Sequence, residues 1–251
     1  MKINYQNIDK IDYMSASDQG LIVSFAAFSD ADAIVLSRRL GELLRAKPPQ
    51  GLRDVIPGMN NLLIHYNSLL TSQENLKENV QAVLLQLDTD ASHEYRHWRL
   101  PVCYGGEYGE DLPEVASRSG LAEDEVITRH TRYTLTVAIM GFLPGLAYMK
   151  GVDDALYLSR RSSPRQHVPA LSLGIAMDQT VIYPLASPGG WNLIGRVPVR
   201  PFDGQRDDPV LFRAGDRVSF YAIDDDEYRR LDAAALAGEA IITPELIEGD
   251  A

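Results

Sequence analysis

Between Tyr183 and Arg196 the chain runs Tyr-Pro-Leu-Ala-Ser-Pro-Gly-Gly-Trp-Asn-Leu-Ile-Gly-Arg. This stretch brings a hydroxyl (Ser187), an indole (Trp191) and a guanidinium (Arg196) close together in sequence. A hydroxyl and a guanidinium can hold a carbonyl or an anion. Gly189 and Gly190 free the backbone to turn with φ > 0 and let another molecule approach closely. Pro184 and Pro188 fix φ on either side and stiffen the loop. Such a loop suits the wall of a pocket. The same spacing equally suits a tight corner between two strands, with Trp191 plugging a core.

Two upstream stretches share this character. Gly141-Phe142-Leu143-Pro144-Gly145-Leu146-Ala147-Tyr148 follows an apolar run, and Ser163-Pro164-Arg165-Gln166-His167-Val168-Pro169-Ala170-Leu171-Ser172 lies between the two glycine loops. Arg165 is flanked by prolines, which hold the backbone extended. A stiffly mounted guanidinium can clamp a carboxylate or phosphate through two parallel bonds, or make a salt bridge to a partner protein. Arg160 and Arg161 read as a solvated approach. His130, before the Leu135 strand, is a candidate general base or substrate donor near pH 7. Alternatively it is a helix C-terminal histidine facing the helix dipole. Ser172 and Ser187 can donate to an anion or carbonyl, but no Ser-His-Asp arrangement makes either a nucleophile.

The patterns GFxPGxxY, PRxxVPAxS and IYPxxSPGGWxxIGR, in this order and spacing, resemble the allophanate hydrolase subunit 1 family. The resemblance continues through Leu100-Pro101-Val102-Cys103-Tyr104-Gly105-Gly106, Gly109-Glu110-Asp111-Leu112 and His130. A fainter trace at Asp54-Val55-Ile56-Pro57-Gly58-Met59-Asn60-Asn61-Leu62-Leu63-Ile64 extends it over nearly the whole chain. That family includes the B-type subunit of bacterial 5-oxoprolinase and the Kip-type inhibitor of a sensor histidine kinase. It also forms half of the carboxyltransferase region of urea carboxylase.

The resemblance implies a component of an ATP-dependent hydrolase that opens the lactam of 5-oxoproline to glutamate. Phosphorylation of the amide oxygen would supply the leaving group. Partners would be a subunit 2 (C-type) homologue and the A-type subunit of oxoprolinase, without which this chain would have no turnover. Alternatives are kinase inhibition, or carboxyl transfer on urea-type amides with biotin from another chain. The implied catalytic residues are His130 and Arg165. The implied substrate contacts are Pro144, Ser172, Tyr183, Ser187, Gly189, Gly190, Trp191 and Arg196. Arg165 would clamp the carboxylate or phosphate, N–H groups around Gly189 and Gly190 would hold an oxyanion, and Trp191 would exclude water. One position departs: Leu171 stands where the resemblance leads to Val-Pro-Ala-Gly-Ser. If glycine borders the substrate there, leucine narrows the pocket.

Other motifs exclude more than they support. His93-Glu94-Tyr95-Arg96-His97 spells HExxH, but a zinc site of that kind needs both histidines one turn apart on an apolar helix. This copy lies in a polar connector before Trp98-Arg99-Leu100, which predicts a surface linker and no metal. No GxxxxGK[ST], no GxGxxG after a strand and no Met-Lys-Met string is present. ATP or biotin chemistry must therefore lean on a partner or on an unusual site. Cys103, in an apolar strand, reads as inert core.

Composition sets the frame. The 251 residues carry a formal charge of −11, which disfavours nucleic acid and anionic membrane surfaces as partners. The polar Met1–Asn7 start lacks a signal-peptide core, and no run of about 18 apolar residues exists. A single cysteine suits a reducing compartment. The expectation is a soluble cytoplasmic protein.

The elements that must position these groups fall into two parts. Leu21–Phe25 reads as a strand after a polar turn at 17–20. Asp30 caps a helix to about Arg45 with Ala33, Leu36, Leu40, Leu43 and Leu44 inward. Val55–Ile56 and Leu62–Ile64 form strands across a Pro57-Gly58 turn. Thr71 or Ser72 opens a helix to about Leu87. Closed by a following strand, this order predicts a small ferredoxin-like α/β layer over 1–90. The polar stretch Asp88–Ser92 marks the boundary.

Over 91–251, short apolar runs separated by Gly/Pro loops predict a closed or sandwiched β domain. These are Leu100–Cys103, Leu135–Met140, Leu171–Ala176, Val181–Tyr183 and Val218–Ile223. Short helices follow Asp111 and Ala122, a terminal helix spans Asp224 to about Leu236, and a loose acidic end carries Glu248 and Asp250. The resemblance makes this part a cyclophilin-like barrel, so the class is α+β.

Overall fold

A computed structural model describes residues 5–87 and 93–249. The Asp88–Ser92 boundary stretch and Asp250 lie outside the described residues. The chain separates into two compact units that meet in sequence between Glu94 and Tyr95.

The first unit comprises α1 (Tyr5–Ile8), β1 (Asp12–Ser15), β2 (Gly20–Ser24), α2 (Asp30–Ala46), β3 (Leu52–Pro57), β4 (Asn61–Tyr66) and α3 (Gln73–Gln86). Its sheet is antiparallel in the order β1-β2-β4-β3. Strand β4 alternates half-buried and buried residues, with Leu62, Ile64 and Tyr66 turned to the core. Helices α2 and α3 add Leu36, Leu40, Leu44, Leu76, Val80 and Leu84 to that core, as their 3.6-residue spacing demands.

Three details differ from expectation. The α2 cap is Ser29, whose Oγ accepts from the Asp32 N–H at 3.2 Å, and Leu43 is exposed rather than inward. The edge position beside β2 is filled by β1, upstream of the first helix, and not by a strand after α3. The layer is thus a permuted relative of the ferredoxin arrangement. The sequence cue was weak because three of the four β1 residues face solvent or nearly so.

The second unit contains β5 (His93–Tyr104), α4 (Leu112–Ser119), α5 (Glu123–Arg132), β6 (Leu135–Met140), β7 (Ala147–Lys150), β8 (Arg165–Val168), β9 (Ser172–Ala176), β10 (Gln179–Ile182), β11 (Ser187–Gly189), β12 (Asn192–Arg196), β13 (Arg217–Ile223), α6 (Asp225–Leu236) and β14 (Glu245–Gly249). Strands run in the order β12-β9-β10-β7-β6-β13-β5-β14, and β12 also pairs with β5. That extra pairing closes a seven-strand barrel. β5 and β13 are parallel, from Arg217 opposite His97 to Ile223 opposite Cys103, while the other ladders among the seven barrel strands are antiparallel. Leu100, Val102, Val137, Met149, Leu173, Ile175, Ile194 and Phe220 fill the barrel. Two sheets of different topology plus packed helices make the chain α+β.

The expected loose end is instead β14, an added strand beside β5. The HExxH stretch is not a linker, because it opens β5. Four residues in a strand span about 13 Å, too far for two histidines to share one ion. His97 Nε2 instead meets Ser219 Oγ at 3.0 Å. No helix among the described residues is long and apolar enough to cross a membrane.

Candidate functional site

Strands β8 and β11 form a separate two-stranded ribbon, with Ser187 opposite Val168 and Gly189 opposite Arg165. The ribbon covers an outer face of the barrel. Along β10 the side chains alternate: Ile182 points into the barrel core, while Val181 joins a second apolar cluster with Leu146, Val168, Tyr183, Trp191 and Leu193. Above this cluster opens a cleft of about 120 Å3, lined by Phe142, Leu146, Tyr148, Arg160, Val181, Tyr183 and residues 188–191.

The cleft is aromatic on its walls and cationic at one edge. Trp191, 5% exposed, tilts against Tyr148 with ring centroids 6.0 Å apart. The Arg160 guanidinium lies over the Trp191 ring, 5.1 Å from its centroid, within cation–π range. Burial pushes the Tyr183 phenol up to about 12, so it stays protonated at neutral pH.

Neither Gly189 nor Gly190 has positive φ, contrary to the turn expected there. Gly189 is required for closeness instead: a Cβ would sit 2.2 Å from the Tyr183 hydroxyl oxygen. At Gly190 the nearest atom would be 3.6 Å away, an ordinary contact. Left-handed backbone occurs in the upstream loop, at Phe142 (φ 69) and Gly145 (φ 80). Phe142 is 69% exposed.

Arg165 does not reach the cleft lining. Its Nη2 donates to Asp111 Oδ1 at 2.7 Å and its Nε pairs with Glu110 Oε1 at 2.9 Å. Arg161 donates to the same Asp111 oxygen at 2.8 Å and to Glu114 at 3.1 Å. The other Asp111 oxygen accepts the Leu193 N–H at 2.7 Å. Asp111 occupies the cap position of α4 yet makes no capping bond, because the two arginines and β12 have taken both oxygens. The clamp expected for a substrate carboxylate holds an internal one. Arg161, expected to be solvated, belongs to the same cluster.

His130 is likewise internal. It is 2% exposed in the last turn of α5 and stacks on Phe220 at 4.9 Å. The Tyr104 hydroxyl, which burial keeps protonated, is hydrogen-bonded to Nδ1 at 2.7 Å. Nε2 is hydrogen-bonded to Thr180 Oγ1 at 3.0 Å. Burial lowers its pKa to about 3, so the ring is neutral, with both nitrogens engaged. His130 thus links the barrel wall, with both ring nitrogens engaged by neighbouring hydroxyls.

Of the remaining sequence candidates, Tyr183, Gly189, Gly190 and Trp191 line the cleft. Pro144 is exposed in the loop before β7 and outside the lining. Ser172 and Ser187 are buried, their Oγ atoms without a hydrogen-bond partner. Arg196 covers the Tyr108 ring at 5.6 Å. Leu171 does not narrow the cleft: its side chain packs in the barrel core. Its φ of 66 explains why glycine suits that position, since a left-handed residue with a Cβ bears about 1–2 kcal/mol of strain. Burial of the isobutyl group, about 1.5–3 kcal/mol, offsets it.

Sequence reading missed Arg160 and Tyr148 as cleft residues. Tyr148 ends GFxPGxxY and alternates outward from Met149, so the period-2 pattern held the signal. Arg160 carried none, because only the folded chain separates it from Arg161. Among the described residues no cluster of three or more His, Cys, Asp or Glu could hold a metal ion.

Residues 11–212 match the family described as carboxyltransferase domain, subdomain C and D. The B-type subunit of 5-oxoprolinase from Bacillus subtilis (strain 168) is 34% identical over 221 residues, which cover 84% of this chain and 92% of that one. Its counterpart of the same name from Escherichia coli O157:H7 is 41% identical over 170 residues, covering 66% and 76%. The crystal structure of TTHA0988 superposes with a TM-score of 0.72 at 37% identity. That match covers 82% of this chain and 40% of TTHA0988, so this chain spans about two fifths of the longer protein.

Proposed function

From the premise that this chain belongs to the carboxyltransferase subdomain C and D family, we propose that it is the B-type subunit of an ATP-dependent 5-oxoprolinase. The assembly opens 5-oxo-L-proline to L-glutamate with hydrolysis of ATP, in company with homologues of the C-type and A-type subunits. The observation that carries this reading is the likeness to two proteins named for that B-type component, one matched over 92% of its length. The match to part of a longer chain, TTHA0988, fits a unit that works beside further polypeptide.

The cleft is this chain's contribution to the site. Tyr148 and Trp191 offer apolar faces, the protonated Tyr183 hydroxyl is a donor, and the walls shield a reacting amide from water. Its lining holds one guanidinium and no carboxylate, which does not fit a magnesium-bound triphosphate. ATP is therefore assigned to another polypeptide of the complex, and no step on this chain passes through it.

The experiment is ATP-dependent glutamate release from 5-oxoproline by the co-expressed subunits, with each omitted in turn. Loss of activity on omitting this chain is expected. A full complex that assembles without activity overturns the reading. The family's description favours one alternative, carboxyl transfer to a urea-type amide with biotin on another chain. Bicarbonate-dependent carboxylation of urea by the same complex, with a biotin-carrying chain supplied, would support it.

A further inference from the structure

Three arginines enter the ribbon region from one stretch of chain, and the fold uses them differently. Arg161 and Arg165 are bound to Asp111, Glu110 and Glu114. Arg160 has no hydrogen-bond or carboxylate partner among the described residues. It is exposed and borders the cleft. Its guanidinium rests on Trp191, a ring held immobile by burial and by Tyr148. An arginine stacked on an aromatic face keeps its N–H fork in the plane of the stack and free to bond at its edge. In a protein of net charge −11, a lone cation of this kind sets the sign of what enters the cleft.

We propose that Arg160 is the specificity-determining residue of the cleft. On this assignment it binds the carboxylate of a small cyclic acid whose ring lies against Trp191 and Tyr148. With the oxoprolinase reading, on which this inference rests, that acid is 5-oxoproline: the guanidinium holds its carboxylate and the Tyr183 hydroxyl stands near its lactam. One guanidinium suits one carboxylate, and the aromatic walls suit an apolar ring. At about 120 Å3 the cleft is smaller than the roughly 300–1,000 Å3 of drug-sized ligand sites, which restricts it to a small molecule.

The test compares wild type, Arg160→Ala and Arg160→Lys in the assembled complex, with 5-oxoproline and with 2-pyrrolidinone, the same lactam without its carboxylate. Arg160→Ala is expected to raise KM for 5-oxoproline about 10- to 100-fold with little change in kcat, the pattern of lost uniform binding. Arg160→Lys, which keeps the charge but not the fork, should fall between. Kinetics on 2-pyrrolidinone should be weak and insensitive to both changes.

A second readout needs no turnover. Quenching of Trp191 fluorescence in the full chain, taken as the difference from Trp191→Phe, should saturate with 5-oxoproline, not with 2-pyrrolidinone, and should vanish in Arg160→Ala. An unchanged KM in Arg160→Ala, or equal quenching by both lactams, overturns the assignment. A complex inactive on 5-oxoproline that still shows carboxylate-selective, Arg160-dependent quenching overturns the oxoprolinase reading alone.

Discussion

Arg165 and Arg160 sit in one connecting segment of the second unit, carry the same side chain, and are put to opposite uses. Arg165 lies on the ribbon strand β8 and shares a 5%-exposed carboxylate with Arg161. Arg160 lies just before the ribbon, over an indole at the lip of a cleft, with no acid opposite it. The first region is an ion cluster whose charges are matched inside the chain. The second leaves a charge unmatched at the edge of an apolar hollow. A cation beside a carboxylate supports the fold, whereas a cation beside an aromatic wall awaits an anion from outside. Residue type and stiffness of mounting do not decide between these fates; the nearest acid does.

The comparison breaks most readily at Asp111. Asp111→Asn leaves two arginines around a neutral amide and should cost about 3–5 kcal/mol. That corresponds to a fall of roughly 10 °C in Tm for a chain of this size. A loss under about 1 kcal/mol in urea denaturation would mean that Arg161 and Arg165 are as free as Arg160.

The wall of the cleft offers a sharper pair. Gly189→Ala drives a methyl group into the Tyr183 hydroxyl and should cost about 1–3 kcal/mol, with loss of ligand binding. Gly190→Ala, next door, should stay within about 0.5 kcal/mol. Equal effects would show that close approach of Tyr183 is not what Gly189 provides.

His130 tests whether internal matching extends beyond the arginines. Its folded pKa, about 3, lies below the ordinary value of 6.5, so the unfolded chain binds the extra proton between those limits. Stability should therefore be complete above pH 6.5 and decline toward pH 3, by at most about 1.4 kcal/mol per pH unit from this group. A urea midpoint measured against pH for wild type and His130→Gln isolates the contribution. A wild-type slope no steeper than the variant's would place the imidazole in solvent.

The smallest expected effect is the most informative. Arg160→Ala should change folding stability by no more than about 0.5 kcal/mol, in contrast to Asp111→Asn. A substantial loss of Tm would move Arg160 into the structural group.

Much of the architecture was legible because local patterns and tertiary burial agree. The apolar runs at Leu135–Met140 and Val218–Ile223 became β6 and β13, and Ser72 and Asp224 cap α3 and α6. Elements whose partners lie far away in sequence were not legible. β1 is polar enough to pass for a loop, and β14 exists only because β5 offers it an edge. The HExxH stretch reads as a connector, and only its last residue, His97, meets β13, opposite Arg217.

The site divides similarly. Tyr183, Gly189, Gly190 and Trp191 announced a wall through their crowding in one loop. His130 and Arg165 carry reactive groups, but their roles depend on Tyr104, Thr180 and Asp111, which no local pattern connects to them. Leu171 resembled an obstruction until its φ and its direction were known.

The permuted first sheet has a consequence for the order in which the molecule is built. With β1 in the edge position, every strand of that sheet precedes Gln73, and α3 is complete by Gln86. The first unit can therefore assemble while the remainder is still being synthesised. The barrel has no such freedom. β5 must wait for β12 and β13, which are made about a hundred residues later. Its apolar inner face stays uncovered through most of translation, so slowed elongation past Arg196 should expose that face, not the first unit, to chaperones and aggregation.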